Sequence, residues 1–268
     1  MGLRSLIKRI AFRNYLWVEK INSKSELKTF LYQFREHYVS CELIRVGGGA
    51  DGGYLLPNIL NDVIYCFSPG VEYTADFEVE LSEKYNIKSF MADASVLQPP
   101  VSSSDFEFIP KFLGAKTGDD YITLSDWIDK SGVGLNSNKI LQMDIEGGEY
   151  DVLVYEDSET LASFSILVIE FHNLKKLFDR DFLKMVSGIF QKLFKNFSIC
   201  HVHPNNHSRL VSLYGVDVPE VIEVTFVRND QLHKCRSHQA VCLPHNLDSK
   251  NSVDSDDLIM PEIWWKSE

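Results

Sequence analysis

From Lys139 to Gly148 the chain reads Lys-Ile-Leu-Gln-Met-Asp-Ile-Glu-Gly-Gly, and this stretch decides the fold. It begins as an apolar run of strand length and stops at two carboxylates, Asp144 and Glu146, before two glycines. A helical pattern follows over residues 147–156. This order is typical of a buried parallel strand that ends at a ligand crevice, since α/β proteins keep their binding sites at the carboxyl ends of strands.

The rest of the chain alternates between strand-like and helical patterns. Short apolar runs predict buried strands at residues 63–67, 88–92, 106–112, 139–143 and 165–171. Helical spacing occurs near residues 23–40, 75–85, 123–130, 147–156 and 176–195. Ser25 is able to cap the first of these helices. Two further strands, at 197–202 and 221–227, have no obvious long helix between them and are expected to pair antiparallel at one sheet edge. We therefore predict an α/β fold with a doubly wound, mostly parallel sheet.

Length and composition favour one α/β core with an extension. The chain has 268 residues and 44% hydrophobic content, so a second full domain would be cramped. We predict a helical extension over residues 1–40 and one domain over 41–268. The five cysteines are scattered without CxxC spacing, which favours a reducing compartment over a disulfide framework or a zinc site. With no apolar run of about 20 residues and no secretory signal, we expect a cytoplasmic protein.

Charge is distributed unevenly along the chain. The net charge is -11, yet the first twenty residues contain five Lys and Arg against Glu19 alone, and removing them leaves 22 Lys and Arg against 37 Asp and Glu. The rest of the chain is so acidic that it argues against a nucleic-acid substrate, because phosphate binding needs clustered cations. Leu3, Leu6, Ile7 and Ile10 have helical spacing among the basic residues, as in a helix that rests on the anionic inner face of a membrane. The alternative is a helix packed on its own domain or on a partner subunit.

Two strand ends carry residues suited to an adenosyl ligand. The turn Ser68-Pro69-Gly70 follows the first strand of the sheet, and small residues there let the backbone approach a cofactor, although an ordinary Pro-Gly turn would look the same. Asp93 closes the second strand, where a carboxylate can accept hydrogen bonds from ribose hydroxyls. Asp93 alone would equally suit the cap of a turn.

Two further strand ends predict a polar centre beside that ligand. If the strands that end at Asp144 and Glu170 are neighbours, both carboxylates and His172 lie at one crevice. Oxygen ligands of this kind suit Mg²⁺ or Mn²⁺, and His172 could instead be a general base. A metal-free site, with Asp144 on the cofactor amine and Glu170 capping a helix, stays open. His201 and His203 share a strand face and are either substrate ligands or, more commonly for such histidines, structural residues.

The segment Leu141–Leu153 resembles the central signature of the FkbM-type methyltransferases, which use S-adenosylmethionine. The resemblance extends to Asp51–Tyr54, the Ser-Pro-Gly turn, Thr123–Ile128 and Leu243–Asp248. It implies the class I methyltransferase fold, with seven strands and an antiparallel edge hairpin. On this resemblance Ser68, Gly70 and Glu72 line the methionine side of the cofactor, and with Asp93, Ala94 and Asp144 they form the predicted cofactor site. The predicted catalytic residues are Asp144, Glu146 and His172, and the candidate metal ligands are Asp144, Glu170 and His172.

The same resemblance favours O-methylation of a sugar hydroxyl in a cell-surface polysaccharide or glycolipid. Two other classes of function remain open. An adenosyl-binding module without turnover would explain the atypical loop after the first strand, which lacks GxGxxG. A metal-dependent hydrolase would use Asp144, Glu170 and His172 to activate water. Near the end of the chain, Trp264-Trp265 predicts a strap that docks back on the domain, because large aromatic side chains gain much from burial.

Overall fold

The structure is a computed structural model that describes residues 3–16, 18 and 20–266. Its α-helices are α1 (Leu3–Arg13), α2 (Lys24–Glu36), α3 (Asp76–Tyr85), α4 (Leu124–Ser131), α5 (Glu149–Tyr155), α6 (Ser158–Ala162), α7 (Arg180–Leu193) and α8 (Leu232–Cys235). Its first strands are β1 (Leu43–Val46), β2 (Tyr54–Pro57), β3 (Tyr65–Pro69), β4 (Lys88–Ala92), β5 (Phe106–Ile109), β6 (Phe112–Leu113) and β7 (Tyr121–Ile122). The remaining strands are β8 (Lys139–Met143), β9 (Ile166–Phe171), β10 (Phe197–Pro204), β11 (Leu210–Leu213), β12 (Val216–Pro219) and β13 (Ile222–Arg228).

Seven of these strands form one central sheet in the order β10-β13-β9-β8-β3-β4-β5. The strands β5, β4, β3, β8 and β9 run parallel to one another, whereas β13 pairs antiparallel with both β9 and β10. The predicted antiparallel pair at one sheet edge is therefore confirmed. So is the doubly wound, mostly parallel α/β fold of the class I methyltransferases.

The crevice for a ligand lies where the strand order reverses. β3 pairs with β4 on one side and with β8 on the other. The chain leaves β3 toward β4 and returns to β8, so the connections diverge outside the carboxyl ends of β3 and β8. Open α/β sheets bind ligands at such a switch point.

The element bounds differ from the sequence predictions mainly at their ends. β4 and β8 occupy the predicted residues, whereas β3 starts at Tyr65 and β5 stops at Ile109. The cap of α2 was predicted wrongly, because Ser23 rather than Ser25 accepts a hydrogen bond from the Glu26 backbone N–H. Ser23 and Glu26 form a reciprocal capping box, in which the Glu26 carboxylate also accepts from the Ser23 backbone.

The C-terminal segment docks on the domain as the two tryptophans predict. The Trp264 side chain is fully buried against Phe30 and Phe34 of α2, with ring centroids 6.3 and 5.2 Å apart and the rings nearly perpendicular. Its indole N–H donates to the Asp217 carbonyl at 3.1 Å. Phe190 of α7 packs against the same two phenylalanine rings. Thus α2 packs into the core of the sheet, and the division of the chain at residue 40 stays a prediction.

Helix α1 leaves its apolar side chains uncovered. Leu6, Ile7 and Ile10 are each about half exposed. Met1, Gly2, Trp17 and Glu19, which belong to the predicted extension, lie outside the described residues, as do Ser267 and Glu268 of the predicted domain. Among the described residues, no helix combines the length and the apolar character that crossing a membrane requires.

Candidate active site

Gly70 allows the ends of β3 and β8 to come together. Its φ is +88°, and a Cβ at this position would lie 1.7 Å from the Asp144 carbonyl oxygen. A side chain is therefore excluded both by the backbone conformation and by the neighbouring strand. The Gly70 backbone N–H donates to the Ala92 carbonyl at 2.9 Å, which fixes the turn to β4.

Asp93 braces the loops that follow β3 and β4. Its carboxylate accepts the Glu72 backbone N–H at 2.9 Å and the Ser95 backbone N–H at 2.7 Å. The side chain is 3% exposed. Each carboxylate oxygen has two acceptor sites, so one site on each oxygen stays available to a ligand hydroxyl.

Two adjoining cavities open over these strand ends. The first, of about 110 Å³, is lined by polar residues that include Asp51, Tyr54, Glu78 and Gln142. The second, of about 380 Å³, is lined by Ala92, Asp93, Ser95, Phe112, Leu113, Tyr121, Ile145 and Gly148. Both cavities also contact Gly70, Glu72, Asp144 and Glu146. We call the first cavity the polar lobe and the second the apolar lobe of one cleft. The two lobes meet at the ends of β3 and β8.

The cleft fits the two halves of S-adenosylmethionine. The apolar lobe offers aromatic and aliphatic side chains to an adenine, and Asp93 lies where ribose hydroxyls would be recognised. Carboxylates in the polar lobe match the ammonium of a methionine moiety. Residues Gly70, Glu72, Asp93 and Asp144 would therefore hold the cofactor.

Ser68 and Ala94 occupy different positions from the other predicted cofactor residues. Ser68 is fully buried behind the polar lobe, where its hydroxyl bonds to Gln142 and Glu78. It positions two residues that line the lobe. Burial raises the pKa of Glu78. Ala94 is half-buried and lines neither lobe.

A row of ionisable side chains crosses the carboxyl edge of the sheet. His203 of β10 is paired in register with Glu223 of β13, and Glu223 is paired with Glu170 of β9. Met143 is paired with Ile169, so Asp144, the next residue, continues the row beyond β8. Neighbouring residues on one sheet edge share one environment, and the sheet therefore presents three carboxyl groups side by side.

Burial and mutual repulsion keep protons in this row. Burial raises the pKa of Asp144, and burial together with the Asp144 and Glu223 charges raises the pKa of Glu170 well above its usual range. Burial also raises the pKa of Glu223. Asn205 donates to Glu170 at 2.8 Å, and Asn251 donates to Glu223 at 2.5 Å. Because like charges this close cannot all ionise, the row shares protons near neutral pH.

The row also offers donor atoms for a divalent cation. Among the described residues, the buried oxygens Asp144 Oδ1 and Glu170 Oε2 have no hydrogen-bond partner. One donor atom from each of Asp144, Glu170 and His172 lies within 4.8 Å of the others, and Asp51, Glu170 and Glu223 form a second such group. Buried acceptor oxygens without partners are costly, and this donor set fits Mg²⁺ or Mn²⁺.

His172 faces the row and is held by a buried carboxylate. Its Nδ1 lies 3.0 Å from Oε1 of Glu149, a side chain with no exposed surface. Glu149 Oε1 also accepts the backbone N–H groups of Ile145 and Gly147 at 3.2 and 3.1 Å. An ionised Glu149 therefore keeps the proton of neutral His172 on Nδ1 and leaves the Nε2 lone pair free.

The free Nε2 atom points at the strand ends. It lies 3.4 Å from Glu146 Oε2 and 3.9 Å from both Asp144 Oδ1 and Glu170 Oε1. Burial alone would lower the pKa of His172, but the hydrogen bond and charge of Glu149, with the Asp144 and Glu146 charges, raise it above its usual value. The predicted catalytic residues Asp144, Glu146 and His172 are thus brought together.

Three residues at the strand ends adopt an uncommon backbone conformation. Glu72 after β3, Glu146 after β8 and Asn173 after β9 have φ values of 39°, 56° and 59°. Side chains other than glycine are infrequent in this left-handed region. Strained backbone of this kind concentrates at functional sites, and here it occurs at the ends of three neighbouring strands, β3, β8 and β9.

Several residues of the site were missed from the sequence. Glu149, Asp51 and Glu223 contribute to it, and all three lie in segments that the sequence analysis singled out, but none was given a role. Glu223 carried a signal, because a carboxylate inside the apolar run Val221–Val227 must be buried and partnered. The glycine-rich loop 47–53 joins β1 to β2 and brings Asp51 and Gly52 to the polar lobe, beside Tyr54 of β2.

Part of the chain matches a known protein domain. Residues 91–196 match the sequence model of the methyltransferase FkbM domain. That segment contains Asp93, Asp144, Glu146, Glu149, Glu170 and His172. No curated protein matches the chain at a significant level.

Several solved structures resemble the chain at low similarity. The N-terminal domain of EvdMO1, solved in the presence of SAH and D-fucose, is 10% identical with a TM-score of 0.36, and the match covers 85% of this chain and 97% of that one. A fibrillarin/Nop5p complex is 9% identical with a TM-score of 0.38, covering 63% and 73%. The 16S rRNA (adenine(1408)-N(1))-methyltransferase from Catenulisporales acidiphilia is 10% identical with a TM-score of 0.33, covering 63% and 90%.

The domain match along the sequence and the strand order of the sheet agree with each other. The domain match runs from within β4 to just beyond α7, so it includes the ends of β4, β8 and β9 but not the end of β3. The sheet has the seven strands and the antiparallel edge of a class I methyltransferase. Residues 91–196 of this chain are thus similar to the FkbM domain of methyltransferases, within a sheet that has the strand order of a class I methyltransferase.

Proposed function

We propose that this chain transfers a methyl group from S-adenosylmethionine to a hydroxyl oxygen of a sugar in a cell-surface polysaccharide or glycolipid. The observation that carries the proposal is the Glu149–His172 pair, whose free Nε2 faces the ends of β8 and β9. A hydroxyl is a weak nucleophile and gains from a positioned base, whereas a neutral amine does not need one. The pair therefore favours O-methylation.

The cofactor, when bound, supplies a methyl group already activated on a sulfonium. The chain's own residues align the acceptor and remove its proton. Gly70 and Asp93 hold the loops that cradle the ligand, and His172 Nε2 takes the hydroxyl proton while Glu149 stabilises the imidazolium that forms. Glu146 and Asp144, 3.4 and 3.9 Å from Nε2, stabilise the same positive charge.

A neutral polyhydroxyl acceptor suits the charges around the site. The row consists of carboxyl groups, and the side-chain amides of Asn205 and Asn251 donate hydrogen bonds to two of them. Carboxyl and amide groups can accept hydrogen bonds from sugar hydroxyls or donate hydrogen bonds to them. A phosphorylated acceptor would be repelled by the same carboxylates. The acidic balance of the chain argues in the same direction against a nucleic-acid partner.

Mg²⁺ or Mn²⁺ is a second proposal for this site, carried by the unpartnered oxygens of Asp144 and Glu170. With His172 these residues would coordinate the ion. The ion would in turn bind two vicinal hydroxyls of the sugar acceptor and lower the pKa of the hydroxyl that is methylated. We predict that EDTA abolishes methyl transfer and that Mg²⁺ or Mn²⁺ restores it. Full activity in chelator would exclude the ion and leave His172 as the base.

The assay that tests the function uses S-adenosylmethionine with a tritiated methyl group and a panel of neutral oligosaccharides and sugar lipids. We expect label in a sugar, stable to mild base as an ether is. Binding of S-adenosylhomocysteine without transfer to any acceptor would favour an adenosyl-binding module. Water-dependent cleavage of an acceptor without cofactor binding would favour a metal-dependent hydrolase.

A further inference from the structure

A second polar cluster lies beside the sheet edge and outside the cleft. His201 and His203 alternate along β10, so both side chains point to the same face. Asp248, from the C-terminal segment, reaches that face. None of the three lines either lobe of the cleft. The cluster therefore needs an explanation apart from the proposed methyl transfer.

The three side chains are close together and shielded from solvent. His201 Nε2 lies 2.9 Å from Asp248 Oδ1, and His203 Nδ1 lies 3.7 Å from Asp248 Oδ2. One donor atom from each residue lies within 4.8 Å of the other two. The side chains are only 4%, 6% and 7% exposed for His201, His203 and Asp248.

The imidazoles have more nitrogen atoms than hydrogen bonds. Both ring nitrogens of His201 and Nε2 of His203 are buried without an aligned hydrogen bond to any described residue. The 2.9 Å approach of His201 to Asp248 is close enough, but its direction does not satisfy hydrogen-bond geometry. Buried polar atoms normally find partners, and one metal ion that binds a single nitrogen of each imidazole would satisfy at most two of these three atoms.

The donor set suits a transition-metal ion. Two neutral imidazoles and one carboxylate are ligands of Zn²⁺, which binds nitrogen at about 2.0 to 2.1 Å in a tetrahedron whose donor atoms lie about 3.4 Å apart. The observed separations bracket that value, so small side-chain rotations close the site. Mg²⁺ and Ca²⁺ prefer all-oxygen ligands. Two of the three donors in this cluster are imidazole nitrogens, against one of three in the Asp144, Glu170 and His172 group.

A cavity gives access to the ion and to its fourth ligand. About 320 Å³ of space adjoins His201 and is lined also by Cys41, Cys200, Ser237 and His245. His245 is not the fourth ligand in the observed conformation, because its Nδ1 accepts the Leu247 backbone N–H and its Nε2 therefore carries the proton. A water molecule from the cavity would complete the tetrahedron.

We propose that His201, His203 and Asp248 bind one Zn²⁺ ion that fastens the segment Leu243–Asp248 to β10. Asp248 Oδ2 also accepts the His245 backbone N–H at 2.6 Å, so the ligand is itself oriented. The ion joins the end of the chain to the sheet edge. It is independent of the proposed methyl transfer.

The test measures metal content and thermal unfolding of the full chain. Protein dialysed against Zn²⁺ and then against buffer should retain one equivalent of zinc by mass spectrometry. Co²⁺ in its place should give the visible absorption of a tetrahedral site. His203→Ala and Asp248→Asn should lose the retained zinc, and added Zn²⁺ should raise the melting temperature of the wild-type protein alone.

Two controls make the result specific. His233→Ala removes an exposed histidine outside the cluster and should keep one equivalent of zinc. Glu170→Gln alters the carboxylate row and should also keep it. Absence of retained zinc in the wild-type protein, or equal retention by His203→Ala, would overturn the proposal. The Co²⁺ spectrum and the zinc content of the wild-type protein decide the matter even where a variant fails to fold.

Discussion

Among single residues, Glu149 controls both the orientation of the His172 ring and the stability of its charged form. The Glu149 carboxylate is fully buried and accepts three N–H groups, two from the backbone and one from the imidazole. This arrangement orients the ring and stabilises its charged form. A change at Glu149 should therefore alter the chemistry of His172 while the residues that contact the cofactor stay unchanged.

We predict that Glu149→Gln lowers kcat by about 10- to 1,000-fold, within the range that a positioned base contributes. The charge of Glu149 raises the pKa of His172, so its removal lowers that pKa. A base works in its deprotonated form, and the acid limb of the pH–rate profile should therefore move to lower pH. The measurement is kcat against pH, together with the KM for S-adenosylmethionine, which should change little.

Asp151→Asn is the matched control for that variant. Asp151 lies in the same first turn of α5, but its side chain is exposed. It should leave both kcat and the pH profile at wild-type values. An acid limb that stays in place in a folded Glu149→Gln protein would show that Glu149 does not act through His172.

The sequence predicts Asp144, Glu146, Glu170 and His172 because strand ends in a parallel sheet gather at one edge. It does not predict Glu149, since the contact with His172 depends on the turn Glu146–Gly148 and on where α5 begins. Those are matters of backbone conformation, such as the positive φ of Glu146, that a pattern of residue types does not specify. Glu223 joins the site only through its antiparallel register with Glu170.

At the scale of elements, the approach of β3 to β8 depends on Gly70. We predict that Gly70→Ala weakens binding of S-adenosylmethionine at least tenfold and destabilises the fold by about 1–3 kcal/mol, the cost of a strained backbone position. The reason is the 1.7 Å contact that a Cβ would make with the Asp144 carbonyl. Calorimetric binding and urea unfolding measure the two effects.

Gly188→Ala provides the opposite control within the same protein. Gly188 lies inside α7, and a Cβ there meets no atom within 4 Å. Alanine in a helix interior is better than glycine by about 0.5–1 kcal/mol, so this variant should be slightly more stable and bind normally. Normal cofactor binding by Gly70→Ala would mean that the strand ends do not form the cleft.

Elements were easier to predict than their bounds. Strands β4 and β8 are continuous apolar runs, which a sheet buried on both faces requires, and they occupy the predicted residues. The cap of α2 was misplaced by two residues because both Ser23 and Ser25 offer a hydroxyl, and only the position of Glu26 completes the box at Ser23. The hairpins β1–β2 and β11–β12 were not predicted, since their short strands lack a long apolar run.

At the scale of the whole molecule, α1 contrasts with the acidic body. Lys8, Arg9 and Arg13 are exposed beside the uncovered side chains of Leu6, Ile7 and Ile10. We propose that this helix rests on the anionic cytoplasmic face of a membrane. Each basic residue near such a surface contributes about 1 kcal/mol to the free energy of binding. Salt should weaken the attraction.

We predict that the full chain sediments with anionic liposomes at low salt and that a shortened chain beginning at Ser23 does not. A variant with Lys8, Arg9 and Arg13 changed to Gln should show an intermediate loss and little dependence on salt, because the apolar side chains remain. Neutral liposomes serve as the control surface. Equal sedimentation of the full and shortened chains would instead assign α1 to packing against a protein partner.

The cleft over β3, β4 and β8 is where we expect S-adenosylmethionine to bind. Titration calorimetry of the folded chain with S-adenosylmethionine tests it most directly, in the wild-type protein and in Asp93→Ala. We predict saturable binding of one ligand per chain, weakened in Asp93→Ala by about 1 to 3 kcal/mol, as expected for lost charge-assisted hydrogen bonds. No binding by the folded wild-type chain would contradict the account, and unchanged affinity in a folded Asp93→Ala protein would remove Asp93 from the site.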